Sequence, residues 1–445
     1  MLLLVLCCLW ITPSSFALEF KYHNSVQVGQ YLTEVSRNYS DITYLHSIGQ
    51  SVEGRELWVL ILGQNPKQHR TGIPEFKYVG NMHGNEVLGR VLLLQLIDYL
   101  TKGYLRDPLV TRLLNSTRIH ILPSMNPDGF ESSGRDCMYS QGSALAFLQT
   151  SINLANVTVL MAERLRDPQV RQCLTLAVTQ TLSSRVCVCV CSSVRGWLMW
   201  SYCSELQGGS SVSPDNDVFV HLSKTYSRNH TSMYKGDSCF DSKDFSEGIT
   251  NGYSWYPLEG GMQDYNYVWG QCLEITLELS CCKFPPESEL PGLWDANRAA
   301  LLAYMQQVHL GLKGQVLDSN GIPIQNASVE VEGRRNLCPF MTDRNGEYYR
   351  LLLPGSYTIK VTHPGHESVT ETISVPYGPD RFSALTHNFQ LQKSSSQSTP
   401  GTTVQPTCTP PGLNLSNNNN SAALLPSLST ALAAYCLLLH TLQLS

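Results

Sequence analysis

The apolar run Phe76–Val79 leads through His83-Gly84-Asn85-Glu86 into a much longer apolar segment, Val87–Leu100. The first has the length of a strand and the second that of a helix, so the tetrapeptide marks a strand-to-helix turn. Leu57–Leu62 is a continuous apolar run bounded by Gly54 and Gly63, as expected of a strand buried on both faces. Arg118–Leu122 reads as another strand, ending in the turn signal Asn126-Pro127-Asp128-Gly129. Helical spacing marks Val26–Val35, and a helix over Leu293–Val308 closes the region. Strands that alternate with helices pair mostly in parallel, because each helical crossover packs back on a sheet face. The predicted architecture is therefore α/β, with functional residues gathered at strand ends and in the loops that follow them.

A histidine and a carboxylate three residues apart at such a turn can direct their side chains to a common centre. Zinc accepts both, and a catalytic zinc site takes three protein ligands and keeps a fourth position for water. On spacing alone, His83 with Glu86 is more often a structural pair. Cys272–Leu279 alternates as a strand would, with Leu273, Ile275, Leu277 and Leu279 on one face and Glu274, Thr276 and Glu278 on the other. By itself this reads as a strand with two solvated glutamates. After Gly311 the texture changes. Short alternating runs (Val329 and Val331, then Tyr357, Ile359 and Val361) are separated by Asp318-Ser319-Asn320-Gly321, Asp343-Arg344-Asn345-Gly346 and Pro354-Gly355, which predicts an all-β sandwich.

The ends of the chain bear on where it works. Met1–Ala17 is a Leu-rich apolar run with small residues at Ser15 and Ala17, too short to span a bilayer and suited to signal-peptide cleavage before Leu18. A polar stalk, 394–420, precedes Ser421-Ala422-Ala423 and an apolar tail to Ser445. That is the pattern of a glycosylphosphatidylinositol-anchor signal, with attachment at Asn420 or Ser421; a retained C-terminal membrane helix is the alternative. Sequons at Asn38, Asn115, Asn156, Asn229, Asn326, Asn414 and Asn419 fit an extracellular glycoprotein. A formal net charge of -5 with 15% charged residues provides no basic face for nucleic acid. Outside the two terminal segments and a Cys-rich middle stretch lie Cys137, Cys239, Cys272, Cys281, Cys282, Cys338 and Cys408, an odd set whose pairing is open.

Several stretches, in order, resemble the signatures of the metallocarboxypeptidases: Glu75–Glu86, Pro123–Phe130, Asn251–Tyr256, Gly260–Tyr267 and Glu274–Lys283. They are similar to the regulatory branch of that family, in which a transthyretin-like domain follows the catalytic one. The resemblance implies the carboxypeptidase fold over 18–310, a mixed, mainly parallel sheet with helices on both faces, and then the transthyretin-like sandwich over 311–393. It implies one Zn2+ per chain, with His83 and Glu86 as ligands and Glu278 as general base and acid. Tyr256 would be the mobile tyrosine that closes over the substrate, and Gln263 would line the pocket for the C-terminal side chain. The implied activity is removal of C-terminal Arg or Lys from peptides and proteins outside the cell, with the membrane reached through the lipid anchor.

Between Gly142 and Ser211 these signatures stop. There the family would supply an arginine for the developing oxyanion, an Asn-Arg pair for the substrate's terminal carboxylate, a histidine at a strand end as third zinc ligand, and an aspartate for the basic side chain. None is recognisable, and from Gly142 through Gly209 there is no histidine. His221 and His230 come next, in a predicted helix and at its end. Without the third ligand and the clamp, zinc affinity and substrate positioning both fall. The chain as written therefore also reads as a catalytically inactive cell-surface binding protein of the same fold. The abrupt edges of 142–211 suit an intron translated in place of one or more exons, and Cys187, Cys189 and Cys191 would lie on one face of a strand. For the N-terminal assignment, mass spectrometry of the secreted protein is expected to find Leu18 as its first residue; a mature chain that keeps Met1–Ala17 would remove it from the secretory route.

Overall fold

The computed structural model describes residues 18–135, 137, 212–236, 245–252, 262–268, 270–334, 336–376 and 384–394, with the backbone alone of strands at 173–179 and 187–190. Tyr256, Cys239, Cys408, the leader, most of the stalk and the tail lie outside the described residues. In chain order the first domain runs α1 (Ser25–Asn38), β1 (Thr43–Gln50), β2 (Glu56–Leu62), β3 (Glu75–Gly80), α2 (Leu88–Gly103), α3 (Pro108–Ser116), β4 (Arg118–Leu122) and α4 (Pro127–Ser132). It continues with β5 (Cys173–Thr179), β6 (Cys187–Val190), α5 (Asn216–Asn229), β7 (Ile249–Asn251), α6 (Met262–Val268), β8 (Leu273–Glu278) and α7 (Leu290–Gln306). All eight strands form one sheet in the order β1-β2-β4-β3-β5-β8-β6-β7. β4, β3, β5 and β8 are mutually parallel at its centre, and β2 and β6 join that block antiparallel on either side. The sheet is mixed with a parallel core, as the family resemblance implied.

β3 is buried along its whole length. Its alternate side chains serve two layers. Phe76 and Tyr78 meet α7, where the Tyr78 hydroxyl donates to the Leu301 carbonyl at 2.6 Å and the Phe76 and Tyr304 rings lie 5.9 Å apart. Val79 packs instead with Ile48, Leu57, Val59, Ile61, Met82, Leu122 and Met125. α2 is buried on almost every side from Leu88 to Ile97, which explains its nearly unbroken apolar run. α1 is amphipathic and buries Val28, Leu32 and Val35; Asn24 caps it in a reciprocal pair with Gln27.

Two local expectations are corrected. Asn126-Pro127-Asp128-Gly129 is a helix start: Asn126 accepts from the Gly129 N–H at 2.8 Å and Pro127 takes the first helical position of α4. The polar face of β8 is not solvated either. Glu274 and Glu278 are both buried, because β8 lies inside the sheet between β5 and β6 with both faces covered.

The second domain has strands β9 (Leu312–Asp318), β10 (Ser328–Val331), β11 (Glu347–Arg350), β12 (Gly355–Thr362), β13 (Val369–Val375), β14 (Leu385–Thr386) and β15 (Phe389–Leu391). β10-β12-β13 form one sheet; β11, β14 and β15 pair with β9 in the other. Their inner faces enclose Val316, Val329, Tyr348, Ile359, Val361, Phe389 and neighbours. Gly321 and Gly346 take positive φ, 78° and 68°, in the two Asn-Gly turns the sequence marked. No helix among the described residues is long and apolar enough to cross a membrane.

A buried ionic chain joins the domains. His69, in the loop before β3, reaches Glu75 through Nδ1 at 2.8 Å and Glu347 of β11 through Nε2 at 2.7 Å. Glu75 also receives Arg118 at 3.1 Å and the His120 ring, while Tyr349 donates to Glu347 at 2.6 Å. Burial opposes the charged His69 ring, but the bonds from Glu347 and Glu75 outweigh it and push its pKa up to about 10. A group whose pKa rises on folding stabilises fully below its unfolded value, 6.5, and loses that contribution as pH climbs through about 10. His69→Ala is expected to cost about 3 kcal/mol near pH 6, the scale of a buried pair broken on one side. The gap to wild type should shrink toward pH 10 in thermal melts; a pH-independent gap would show that His69 stabilises by packing alone.

Candidate active site

Beyond β3 the chain turns at Asn81, which is fully buried and takes a φ of 56°. Its Nδ2 donates to the carbonyls of His83, Gly84 and Glu86 at 2.9, 3.1 and 3.2 Å, so a single amide gathers the whole turn. Its Oδ1 accepts from Ser124 at 2.8 Å, and Ser124 accepts in turn from Arg90 at 2.8 Å. The Arg90 guanidinium lies 3.9 Å from the Phe130 ring centroid, and burial pushes its pKa down to about 9. The loop after β4 is tied to the same turn by Met125 N–H to the Gly80 carbonyl, 2.9 Å, and Asn126 N–H to the Asn81 carbonyl, 3.0 Å. Gly84 then presses on Gly129: a Cβ at 84 would stand 2.0 Å from the Gly129 carbonyl carbon.

This scaffold brings His83 and Glu86 together, with Nδ1 and Oε2 2.8 Å apart. The Glu86 side chain is 1% exposed and that of His83 32%, so the pair opens toward solvent through the imidazole. Glu86's charge pushes the His83 pKa up, against burial. Lys283 faces the other Glu86 oxygen at 3.2 Å. It follows Cys282, which the disulfide to Cys137 fixes across 145 residues of sequence. Cys272, Cys281 and Cys338 are disulfide-bonded as well. Glu278 ends β8, pairs in register with Thr179 of β5, and adds its charge to the field at His83. Gln263 is buried on α6; Tyr256 lies outside the described residues.

An imidazole nitrogen and a carboxylate oxygen at that separation suit two positions of a zinc ion. Among the described residues, three metal-ligating side chains with donor atoms within 4.8 Å of one another occur at His69, Asp343 and Glu347, at the domain interface. His221 and His230 are engaged elsewhere. His221 Nε2 bonds Gln307 at 2.9 Å, and His230 Nδ1 accepts the N–H groups of Ser232 and Met233 at 3.2 and 3.1 Å, its pKa pushed down to about 4 by burial. Sequence reading missed Asn81, Ser124, Arg90 and Lys283 as parts of the site. Their only signal was membership in or next to the same motifs, because what they do depends on tertiary contacts.

The parallel-centred sheet, with His83 and Glu86 at the turn after β3 and buried Glu278 at the end of β8, is the arrangement expected of a metallocarboxypeptidase. The chain belongs to the zinc carboxypeptidase family, whose sequence profile matches residues 28–146 and 161–300, with the carboxypeptidase regulatory-like domain matching 311–392. It is 50% identical to carboxypeptidase M of Mus musculus over 395 residues, covering 86% of this chain and 88% of that protein. It is 38% identical to the carboxypeptidase N catalytic chain of Homo sapiens, covering 86% and 88%, and 40% identical to carboxypeptidase D of Homo sapiens, covering 85% of this chain and 27% of that one. The profile match lapses only over 147–160, so the family likeness reaches further into the middle segment than its motifs do. Strands 173–179 and 187–190 accordingly occupy places in the sheet. Gly84→Ala tests the close approach on which the turn depends. It is expected to cost about 1–3 kcal/mol, as overpacking does, read as a lower Tm; an unchanged Tm would mean the Gly129 backbone yields freely.

Proposed function

We propose that the protein is an extracellular zinc carboxypeptidase that removes C-terminal Arg or Lys from peptides and proteins. It would work at the outer face of the plasma membrane, after loss of the leader 1–17 and with a glycosylphosphatidylinositol anchor replacing the tail 421–445. The likeness to carboxypeptidase M over most of both chains carries this reading. Exposed asparagines at Asn38, Asn115 and Asn326, each in a sequon, support passage through the secretory route.

In this reading His83 and Glu86 hold zinc, which when bound polarises the scissile carbonyl and lowers the pKa of water toward neutrality. Glu278 takes the water's proton on its carboxylate and returns it to the leaving amine, a task for a buried group held at a strand end. Tyr256 closes over the substrate, Gln263 lines the pocket for its last side chain, and Asn81 keeps the His83 turn from drifting. Lys283, 3.2 Å from Glu86 Oε1, helps to fix the Glu86 side chain.

A second reading rests on a specific feature: no histidine occurs between His120 and His221, and β5 ends at Thr179 beside β8. A chain short of its third ligand and carboxylate clamp would be a cell-surface binding protein of the same fold. Zinc analysis of the purified chain together with Arg release from a short peptide ending in Arg separates the two. The enzyme reading expects one zinc per chain and turnover that falls about 10²–10⁴-fold in Glu278→Gln, the usual contribution of a general acid–base. Little zinc and no Arg release would establish the binding protein, and full turnover in Glu278→Gln would take that residue out of its role.

A further inference from the structure

The turn His363-Pro364-Gly365-His366 joins β12 to β13 on the sandwich, in a different domain from the His83–Glu86 pair. Proline fixes φ at its second position, Gly365 supplies φ +79° at the third, and the His366 N–H closes it on the His363 carbonyl at 3.1 Å. That is the pattern of a type II turn, which carries its first and fourth residues close together. Here their rings meet: the two Nδ1 atoms are 3.0 Å apart, with ring centroids at 5.0 Å and planes at 68°. The turn is also pinned to the chain beyond β15, by Glu367 N–H to the Gln392 carbonyl at 2.8 Å and Ser394 N–H to the Gly365 carbonyl at 3.1 Å. The two imidazoles are therefore held by backbone on both sides.

Two Nδ1 atoms at this separation share one proton, since one must donate and the other accept. They are also spaced to share one ion: two nitrogens bound tetrahedrally at zinc-like bond lengths of ~2.0–2.1 Å lie about 3.3 Å from each other. Both rings are half-buried with an open side. Burial, then the neighbouring His366, pushes the His363 pKa down, which keeps lone pairs available at neutral pH.

We infer that His363 and His366 form a second, non-catalytic metal site, which takes a borderline divalent transition ion through two imidazole nitrogens with water completing the shell. Imidazole donors suit zinc, nickel and copper, and the general order of divalent affinities makes Cu(II) the tightest. The ion would replace the shared proton and staple the β12–β13 turn. The full chain, stripped of metal and titrated with Cu(II), tests this by electron paramagnetic resonance and bound-metal analysis. Wild type is expected to bind one more equivalent than His363→Val or His366→Gln, and that equivalent should show hyperfine splitting from two nitrogens. Because either substitution removes a hydrogen bond from the turn, melts without metal are compared first. Cu(II) should then raise the Tm of wild type and leave both variants where they were. Equal copper stoichiometry in all three proteins, or a Cu(II)-induced Tm rise that survives in the variants, would overturn the site.

Discussion

The carboxylate of Glu75 is where the two domains and the active-site strand are tied to one another. It sits fully buried at the first residue of β3, against Arg118, His120 and His69, and its pKa is held far below the usual range although burial alone would raise it. A lone buried carboxylate would cost several kcal/mol, so its three cationic or hydrogen-bonding partners are a condition of the fold rather than an ornament of it. Two of them, Arg118 and His120, come from β4 and fix the register of β3 against its parallel neighbour. The third, His69, hands the contact on to Glu347 of β11. The sandwich thereby holds the very strand whose far end carries the His83–Glu86 turn. A second ionic group, Arg334 with Asp215 and Asp217, does the same for the start of α5.

From that anchored strand the site is built by backbone. Asn81 spends its amide on three carbonyls, Ser124 and Arg90 hold Asn81, and Gly84 meets Gly129 with no room for a side chain. None of these groups has chemistry to offer a substrate. What they do is leave His83 and Glu86 little freedom, so that their donor atoms are held 2.8 Å apart. The Cys137–Cys282 disulfide acts from the opposite side by fixing the segment that delivers Lys283. A site on a strand-to-helix turn gains from being held in this way, since turns by themselves are the least rigid part of an α/β sheet.

Much of this was legible in the chain because the strongest signals are local. The unbroken apolar run Leu57–Leu62 reads as a strand covered on both faces, Arg118–Leu122 as another, and the bounds of β2 and β4 follow them closely. Asn-Gly turns marked the sandwich for the same reason: a positive φ needs those residues. β8 was harder. Alternating Leu and Glu means a half-solvated strand in an antiparallel sheet, and only its central place in a mixed sheet turns both glutamates inward. The interdomain chain was not legible at all, because His69 and Glu347 stand 278 residues apart and neither is unusual in its own surroundings. The partners of His83 and Glu86 fall in between. The motif announced the pair, while the groups that aim it act through tertiary hydrogen bonds that spacing does not encode.

The middle segment distinguishes what main-chain pairing needs from what ligand chemistry needs. A parallel strand between β3 and β8 is held by main-chain hydrogen bonds, which are indifferent to side-chain identity so long as the sequence is apolar enough to be buried. The backbone of Cys173–Thr179 keeps register with Gly80 on one side and Glu278 on the other. Ligand chemistry is not indifferent: a metal site needs particular donor atoms at particular places. A fold can thus tolerate a change of sequence in a central strand that a metal site could not. A likeness measured over the whole chain speaks mainly for the fold, while the donor atoms of a site are settled residue by residue.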